Sequence, residues 1–179
     1  MMSAEPRREF ILAIHPTARG FGWVVFDGPL ALFDWALVET PKDKNTACLQ
    51  KVAKLIERFQ PETLILEAFE GPAARRSERI KRLGRGLATL AATQGVDVVI
   101  YSRFEVQTCF GTMGARSRDE IASVVALNLP MLQPRLPQKR KCWKSEDRRL
   151  ALFSAAALAL THYRYQAQFF FEDLAKSAT

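Results

Sequence analysis

The chain has 179 residues, which suits one domain, and we predict that domain over residues 1–165, with a C-terminal tail over residues 166–179. Nearly half of the residues are apolar and a quarter are charged, which is an ordinary globular composition. The longest apolar run, at residues 150–160, is too short to cross a bilayer, and residues 1–9 lack a signal-peptide core. We therefore expect a cytoplasmic protein without membrane contact. Three widely separated cysteines argue against a disulfide framework and a structural zinc site, and they are expected to be reduced thiols.

The formal net charge is +7, and the excess positive charge is concentrated in two parts of the chain. Clustered positive charge is typical of a protein that binds a polyanion. The clusters could equally be two solvated faces, and charge alone does not decide between these interpretations. The first cluster comprises Arg75, Arg76, Arg79, Lys81, Arg82 and Arg85. The second comprises Arg135, Lys139, Arg140, Lys141, Lys144, Arg148 and Arg149.

Three short apolar runs open the chain. They cover residues 10–14, 21–26 and 30–38 and are separated by turns that contain glycine and proline. Turns this short join antiparallel neighbours, so the sequence predicts a meander of three strands. Residues 45–59 follow with apolar side chains on one face and basic side chains largely outside it, a pattern that predicts a helix.

Strands and helices alternate after that helix. Residues 63–66 are predicted to be a buried strand that leads directly to Glu67. Residues 76–93 have an apolar stripe at helical spacing, and Gly95 follows at the position that glycine favours after a helix. Residues 98–101 are predicted to be a further strand. Strands separated by helices favour parallel pairing with right-handed crossovers.

Two more helices complete the predicted pattern. Ser117 and Glu120 form a capping-box sequence at the start of residues 119–127. Ser145 is predicted to be the N-cap of a final helix that ends near Tyr163. The order βββαβαβαα predicts an α/β domain. Its five-stranded mixed sheet, with three antiparallel strands and then parallel ones, is flanked by helices.

The order βββαβαβα is that of the ribonuclease-H-like fold, and several segments resemble the RuvC family of Holliday junction resolvases. The resemblance covers the opening strand and turn, the strand that ends at Glu67, the glycine-containing helix after it, the next connection and the last helix. The corresponding residues are 11–22, 64–67, 82–86, 107–111, 116–121 and 153–162. The resemblance implies a homodimer that binds four-way DNA junctions and cuts them symmetrically with two divalent metal ions, Mg²⁺ or Mn²⁺.

The chain departs from the RuvC pattern at the positions that would hold metal. His15 stands where the family usually has its first aspartate, Ser154 stands at the last-helix aspartate, and Ala151 at the position before it. Only Glu67 keeps its place. Hydrolysis through two ions about 4 Å apart needs several converging carboxylates. Asp147, about 10 Å from Ser154 along a helix axis, cannot replace that ligand but could hold a metal displaced toward the helix start.

Glu67, His15 and Asp147 are therefore the candidate catalytic and metal-binding residues, and each has a second interpretation. Glu67 could be a solvated strand end, although the resemblance favours an active or relic ligand. His15 could ligate manganese or zinc or act as a general base, or it could merely end a strand whose ancestral function is lost. Asp147 and Glu146 could stabilise a helix dipole. Ser154 is interpreted as a small packing residue whose hydroxyl bonds to a carbonyl one turn earlier.

Basic side chains that would border the cleft next to Glu67 are the candidate contacts to DNA. Trp143 could stack on a base or sugar or anchor its loop to the core. Phe69 could wedge against a splayed base or belong to the core. The candidate nucleic-acid-binding residues are Arg19, Arg75, Arg76, Arg79, Arg82, Lys139, Arg140, Lys141 and Lys144.

Two functions follow from these observations. The first is a structure-selective DNA endonuclease of the RuvC type, with activity reduced by the missing acids. The second is a member of the same fold that binds branched or duplex DNA without cutting it. The basic clusters favour both functions, and the single surviving carboxylate favours the second. An actin-like phosphotransferase shares the core order, but 179 residues leave no room for two such cores.

Overall fold

Five strands form one sheet at the centre of the molecule. They are β1 (Ile11–Pro16), β2 (Gly20–Phe26), β3 (Leu32–Glu39), β4 (Thr63–Glu67) and β5 (Asp97–Tyr101), in the spatial order β3-β2-β1-β4-β5. The first three are antiparallel to one another, and β4 pairs parallel with both β1 and β5. This computed structural model describes residues 8–72 and 74–177. The predicted fold class and strand pattern are confirmed.

Helices cover both faces of the sheet. They are α1 (Lys44–Phe59), α2 (Glu78–Thr93), α3 (Arg103–Gly111), α4 (Arg118–Asn128) and α5 (Leu150–Ser177), with a 3₁₀ helix over Pro130–Arg135 before the last. The core on one face is shared by the sheet, α1 and α2. The core on the opposite face is shared by the sheet, α3, α4 and α5.

Side chains of β1 alternate between these two cores, as they must in a strand. Leu12 and Ile14 pack toward α1 and α2, whereas Ile11 and Ala13 pack toward α5. Burying a leucine or isoleucine side chain fully contributes about 1.5–3 kcal/mol. A shift of β1 by one residue in its pairing register would move each of these side chains to the opposite face and lose this packing. The alternation places the next residue, His15, on the α5 side of the sheet.

Helix α5 lies close against β2, because Gly22 has no side chain. A Cβ atom at this position would lie 2.5 Å from the carbonyl carbon of Ala151. Gly22 is also the direct neighbour of His15 across the antiparallel pair. The glycine therefore brings the first turn of α5 next to the end of β1.

Two helices begin where side-chain caps predict a start. The Ser117 hydroxyl accepts from the Glu120 amide at 3.2 Å and the Glu120 carboxylate accepts from the Ser117 amide, which confirms the predicted capping box. Helix α2 begins at Glu78 rather than near residue 76, because Ser77 caps it by accepting from the Ile80 amide at 3.4 Å.

The sequence pattern predicts a connection over residues 102–111, whereas the structure has helix α3 there. Its start carries a second capping box, in which the Glu105 amide donates to the Ser102 hydroxyl at 3.1 Å. The apolar residues of α3 do not follow a clear helical stripe, since only Cys109 and Phe110 are buried. The capping signal was therefore present in the sequence, whereas the periodicity was not.

The prediction for α5 was wrong at both ends. Ser145 does not cap the helix, which begins at Leu150; Asp147 precedes it and accepts from the Arg149 amide at 2.9 Å. The helix continues past Tyr163 to Ser177 and crosses residue 165, our predicted domain boundary, without a break. No glycine or proline interrupts residues 150–177, so nothing in the sequence terminates it earlier.

None of the helices in residues 8–72 and 74–177 is long and apolar enough to span a membrane. The prediction of a chain without a signal peptide rests mainly on residues 1–7, which lie outside the described residues. All three cysteines are free thiols, two of them buried.

Candidate functional site

His15 and Glu67 lie side by side at the carboxyl edge of the sheet. The parallel register pairs Ile14 with Leu66, so the next residues of β1 and β4 are neighbours. His15 Nδ1 is 3.3 Å from Glu67 Oε2, and the two side chains are 5% and 12% exposed. Two of the three predicted site residues are therefore brought together.

The carboxylate of Glu67 is bound by an arginine. The guanidinium of Arg76, from the segment that precedes α2, donates to Glu67 Oε2, the same oxygen that faces His15. Arg76 also donates to the carbonyl oxygen of Pro16 at 3.5 Å, and its side chain is only 18% exposed. A fixed positive charge thus lies against the carboxylate, in the space that a bound cation would need.

His15 is a neutral imidazole near neutral pH. Burial lowers the pKa of His15 well below its usual 6.5. Nearby positive charges lower this pKa further, in the order Arg76, Arg118 and Arg103. His15 Nδ1 lies within ion-pair distance of Glu67 but outside hydrogen-bond geometry, so this buried nitrogen has no hydrogen-bond partner among the described residues.

Asp147 lies close to this pair but is held by a different arginine. Its carboxylate accepts from the Arg149 side chain at 2.8 and 3.1 Å, and this hydrogen bonding is the main cause of a lowered pKa of Asp147. Asp147 and His15 line one cleft of about 800 Å³, together with Arg19. Glu67 lines a different, narrower pocket. The structure therefore does not bring all three predicted acid and histidine side chains into one cluster.

That narrower pocket has a volume of about 40 Å³ and opens on the α5 side of the His15–Glu67 pair. Ser154 lines it, and the Ser154 hydroxyl makes no hydrogen bond with any described residue. The predicted bond to a carbonyl one turn earlier is absent at this position. Thr161, farther along α5, makes such a bond to Ala157 at 2.8 Å. The remaining polar residues that line the pocket are Arg103, Gln107, Arg116 and Arg118.

Solved structures of Holliday junction resolvases share this arrangement of strands and helices. The Thermus thermophilus RuvC structure has a TM-score of 0.64 and 21% identity, covering 89% of this chain and 96% of that one. The yeast mitochondrial Holliday junction resolvase Ydc2 has a TM-score of 0.64 and 12% identity, covering 99% and 87% of the two chains. This chain has the RuvC fold. Fowlpox virus resolvase, solved with substrate Holliday junction DNA, matches at a TM-score of 0.52 and 13% identity over 87% and 99%. No protein-family model and no curated protein sequence matches the chain.

The residues at this edge of the RuvC fold do not fit a pair of divalent metal ions. Within the described residues, no group of three or more His, Cys, Asp or Glu side chains could hold a metal ion. Mg²⁺ requires several hard oxygen ligands, whereas Glu67 is bound by Arg76 and Asp147 by Arg149. The catalytic and metal-binding roles of Glu67, His15 and Asp147 stay predictions, and this distribution of charge does not favour them.

The first basic cluster is divided by its contacts. Arg76 is committed to Glu67, and Arg79 donates to Asn45 Oδ1 at 3.0 Å and to the Thr17 carbonyl at 2.8 Å, which fixes the β1–β2 turn. Both are partly buried. Arg75 and Arg82 are exposed and form no ion pair in the described part of the chain. Arg75 and Arg82 are therefore the predicted DNA contacts on this segment that remain available to bind a ligand. Arg76 and Arg79 mainly stabilise the fold.

The second basic cluster lies on the surface before α5. Its four predicted DNA contacts are exposed and form no ion pair with a described residue; Arg19, the remaining predicted contact, is exposed on the β1–β2 turn and lines the cleft beside His15. Arg148 and Arg149 are paired with Glu39 and Asp147. The four exposed residues are Lys139, Arg140, Lys141 and Lys144.

Three arginines of the narrow pocket were missed by the sequence analysis. Arg103 is the first residue of α3, and Arg118 is the first residue of α4, just after Arg116. They are scattered single residues rather than a basic run, so charge clustering did not identify them. The Ser102 and Ser117 capping boxes could have located both helix starts, and hence these arginines, at one end of the fold.

The two aromatic candidates take opposite positions. Phe69 is buried, and its ring occupies the space that a Cβ atom at Gly84 would need, so it packs under α2 as the core interpretation held. Trp143 is 75% exposed, and Lys141 Nζ lies 5.5 Å from its ring centroid. The interpretation that Trp143 anchors its loop to the core is therefore wrong.

Proposed function

We propose that this chain is a DNA-binding protein of the RuvC fold that holds branched DNA without cutting it. The observation that carries the proposal is the Arg76–Glu67 ion pair at the carboxyl edge of the sheet. The one acid that the sequence retains at the expected position is neutralised there, beside a neutral histidine. Two-metal phosphodiester hydrolysis needs converging carboxylates, and their absence among the described residues supports a binding function.

The surface next to this edge supports the choice of DNA as partner. Arg19 is an exposed basic side chain that lines the cleft beside His15, and further exposed basic side chains lie on the segment before α5. Phosphate contacts by lysine and arginine give affinity that does not depend on sequence. Branched DNA is favoured over simple duplex because a structure of the same fold, the fowlpox virus resolvase, was solved with a Holliday junction.

The binding test measures the affinity of the full chain for a four-way junction and for a duplex of the same length, as a function of salt. Each neutralised phosphate is expected to lower log K by about 0.9 per decade of salt. We expect a steep slope, and tighter binding to the junction than to the duplex. Weak affinity that does not change with salt would contradict the proposal.

The alternative function is a RuvC-like endonuclease that uses Mg²⁺ or Mn²⁺. The observation that favours it is that Asp147 and His15 line one cleft, next to Glu67. The test incubates a labelled four-way junction with the wild-type protein and with Glu67→Gln, in each metal. We expect no product that depends on Glu67. Symmetric cleavage that the Glu67→Gln variant loses would establish the nuclease instead.

We also propose that the chain acts as a homodimer, because two copies related by a twofold axis match the symmetry of a four-way junction. Light scattering of the purified protein, alone and with junction DNA, measures the mass directly. A complex that contains a single copy per junction would contradict this proposal without affecting DNA binding itself.

A further inference from the structure

We propose that the narrow pocket beside His15 and Glu67 binds one phosphate group of DNA through arginines and neutral donors, without a divalent metal ion. This inference rests on the DNA-binding function proposed above and assigns a specific contact to it. The pocket lies between the carboxyl ends of β1 and β4 and the first turns of α3, α4 and α5.

The charge around the pocket favours an anion. Arg103 and Arg116 line it, are exposed, and have no acidic partner among the described residues. Arg118 also lines it, although Glu146 binds its guanidinium at 2.7 and 2.9 Å. The only acid in the lining is Glu67, whose charge is balanced by Arg76. The net charge at the pocket is therefore positive, which attracts an anion and repels a metal ion.

The pocket also contains polar groups without hydrogen-bond partners. His15 Nδ1 is buried 3.3 Å from Glu67 Oε2 without forming a hydrogen bond, and the Ser154 hydroxyl has no partner in the described part of the chain. Both residues line the same pocket. Buried polar atoms are nearly always hydrogen-bonded in native proteins, so an unsatisfied one at a pocket points to a ligand or an ordered water. Phosphate oxygens accept from a hydroxyl, an imidazole N–H and guanidinium groups alike.

The size of the pocket suits a phosphate group. A volume of about 40 Å³ holds roughly three water molecules at 10–15 Å³ each. A tetrahedral phosphate group is small enough for a pocket of this volume, whereas a nucleobase is too large. The deeper walls are apolar, formed by side chains such as Val106, Ile121 and Phe153. Apolar walls lower the local dielectric constant and strengthen the attraction between the arginines and an anion.

The experiment titrates the isotope-labelled full chain with thymidine dinucleotides and follows the Ser154 amide and the Gln107 side-chain amide by NMR. One dinucleotide carries a 5′-phosphate and the other has only the internal phosphodiester, so the pair distinguishes a strand end from the DNA backbone. Binding of either is expected to shift these signals. Arg103→Gln and Arg116→Gln are each expected to weaken binding about tenfold, as for loss of one charge-assisted hydrogen bond.

Arg85→Gln is the matched control, because Arg85 is exposed, pairs with Glu70 and lies outside the pocket. It removes the same charge, and we expect the affinity for the dinucleotides to stay within about twofold, since a single screened surface charge contributes little. If Arg85→Gln and Arg103→Gln lower the affinity for the dinucleotides equally, net charge alone explains the loss and the inference is overturned. Absence of any shift at Ser154 and Gln107 would do the same.

A second arm adds Mn²⁺, whose unpaired electrons broaden nearby signals. We expect the Ser154 and Gln107 signals to stay sharp at one equivalent of Mn²⁺. Selective broadening of these two signals would identify a metal site and overturn the inference. If the pocket variants bind the dinucleotides as the wild type does while junction affinity remains strongly salt-dependent, this inference fails and the proposed DNA-binding function stands. Loss of all salt-dependent junction binding would contradict both.

Discussion

Two sets of arginines surround the ends of β1 and β4, and they differ in what holds them. The inner set, Arg76 and Arg79, is partly buried and bonded to Glu67, to Asn45 and to backbone carbonyls of the first turn. The outer set is Arg103 and Arg116, whose guanidinium groups are exposed and have no acidic partner in residues 8–72 and 74–177. Residues of one type therefore have two different roles within one site.

The difference follows from the cost of burying charge. A charged group removed from water must be paired and hydrogen-bonded, and once paired it is not available to a ligand without breaking that pair. An exposed arginine keeps its hydration and can exchange it for a phosphate. We therefore expect the inner set to determine stability and the outer set to determine affinity. Four predictions test this division.

The largest effect is expected for Arg76→Ala. The substitution leaves the carboxylate of Glu67, 12% exposed, without its cation. Removing one partner of a buried ion pair costs about 3–5 kcal/mol, and we expect the free energy of unfolding to fall by an amount near the lower end of that range. Urea denaturation followed by circular dichroism measures it.

The matched control for that prediction is the double variant Arg76→Ala/Glu67→Gln. It removes the unpaired charge, so most of the stability is expected to return. If Arg76→Ala alone costs less than about 1 kcal/mol, as a surface pair does, the inner arginines do not hold the fold and the division fails.

A smaller loss is expected for Arg79→Ala. This variant removes two hydrogen bonds from a charged donor, to Asn45 Oδ1 and to the Thr17 carbonyl. Such bonds contribute about 1.5–3 kcal/mol each when charged, and water replaces part of that at a partly buried site, so we expect about 1–2 kcal/mol in total. Faster hydrogen exchange at the Thr17 amide, which donates to Gly20, would report the loosened turn. Arg82→Ala, exposed on the same helix, is the control, with a change below about 0.5 kcal/mol.

The sequence predicted the position of this site better than its chemistry. Apolar runs separated by helices give parallel β1 and β4, and parallel strands end at the same edge, so the proximity of His15 and Glu67 was accessible from pattern alone. The pairing of Arg76 with Glu67 was not, because residues 68–72 and 74–77 form neither a helix nor a strand and have no periodicity. Charge clustering then grouped Arg75, Arg76 and Arg79 together, although the fold uses them differently.

The start of the last helix was also predicted incorrectly from the sequence. Its apolar middle was recognised, but its start was placed at Ser145 because serine is a good N-cap. In the structure the helix begins at Leu150, and Asp147 accepts from the Arg149 amide just before that start. A serine before an apolar run is therefore not sufficient to place a helix start, and the close packing of Ala151 against Gly22 on β2 is a tertiary contact that local sequence does not reveal.

The third prediction concerns His15, which lies between the two arginine sets. Its pKa is lowered in the folded protein and returns to about 6.5 on unfolding. The unfolded chain therefore binds a proton below pH 6.5 that the folded chain does not, and stability falls as the pH decreases. One proton gives a slope of at most about 1.4 kcal/mol per pH unit. His15→Asn is expected to flatten the fall in unfolding free energy between pH 6.5 and 5.

His162 needs a control in that experiment, because burial also lowers its pKa. The Tyr101 hydroxyl lies 2.9 Å from His162 Nδ1, and burial is the cause of the lowered pKa of His162. His162→Asn should flatten the pH dependence independently, and the double variant should combine the two changes. If His15→Asn leaves the pH dependence of the unfolding free energy unchanged, the folded protein does not lower the pKa of His15.

The smallest change in stability is expected for the outer set. Arg103→Ala and Arg116→Ala remove exposed side chains without acidic partners among the described residues, so each should alter the free energy of unfolding by less than about 0.5 kcal/mol. Their effect on DNA binding should be larger, because an arginine that no longer neutralises its phosphate reduces the slope of log K against log salt by about 0.9. Salt titrations of junction binding for the two single variants and the double variant measure this directly. A stability loss above about 1 kcal/mol in either single variant, with an unchanged slope, would show that exposure does not separate the arginines that build this site from those that use it.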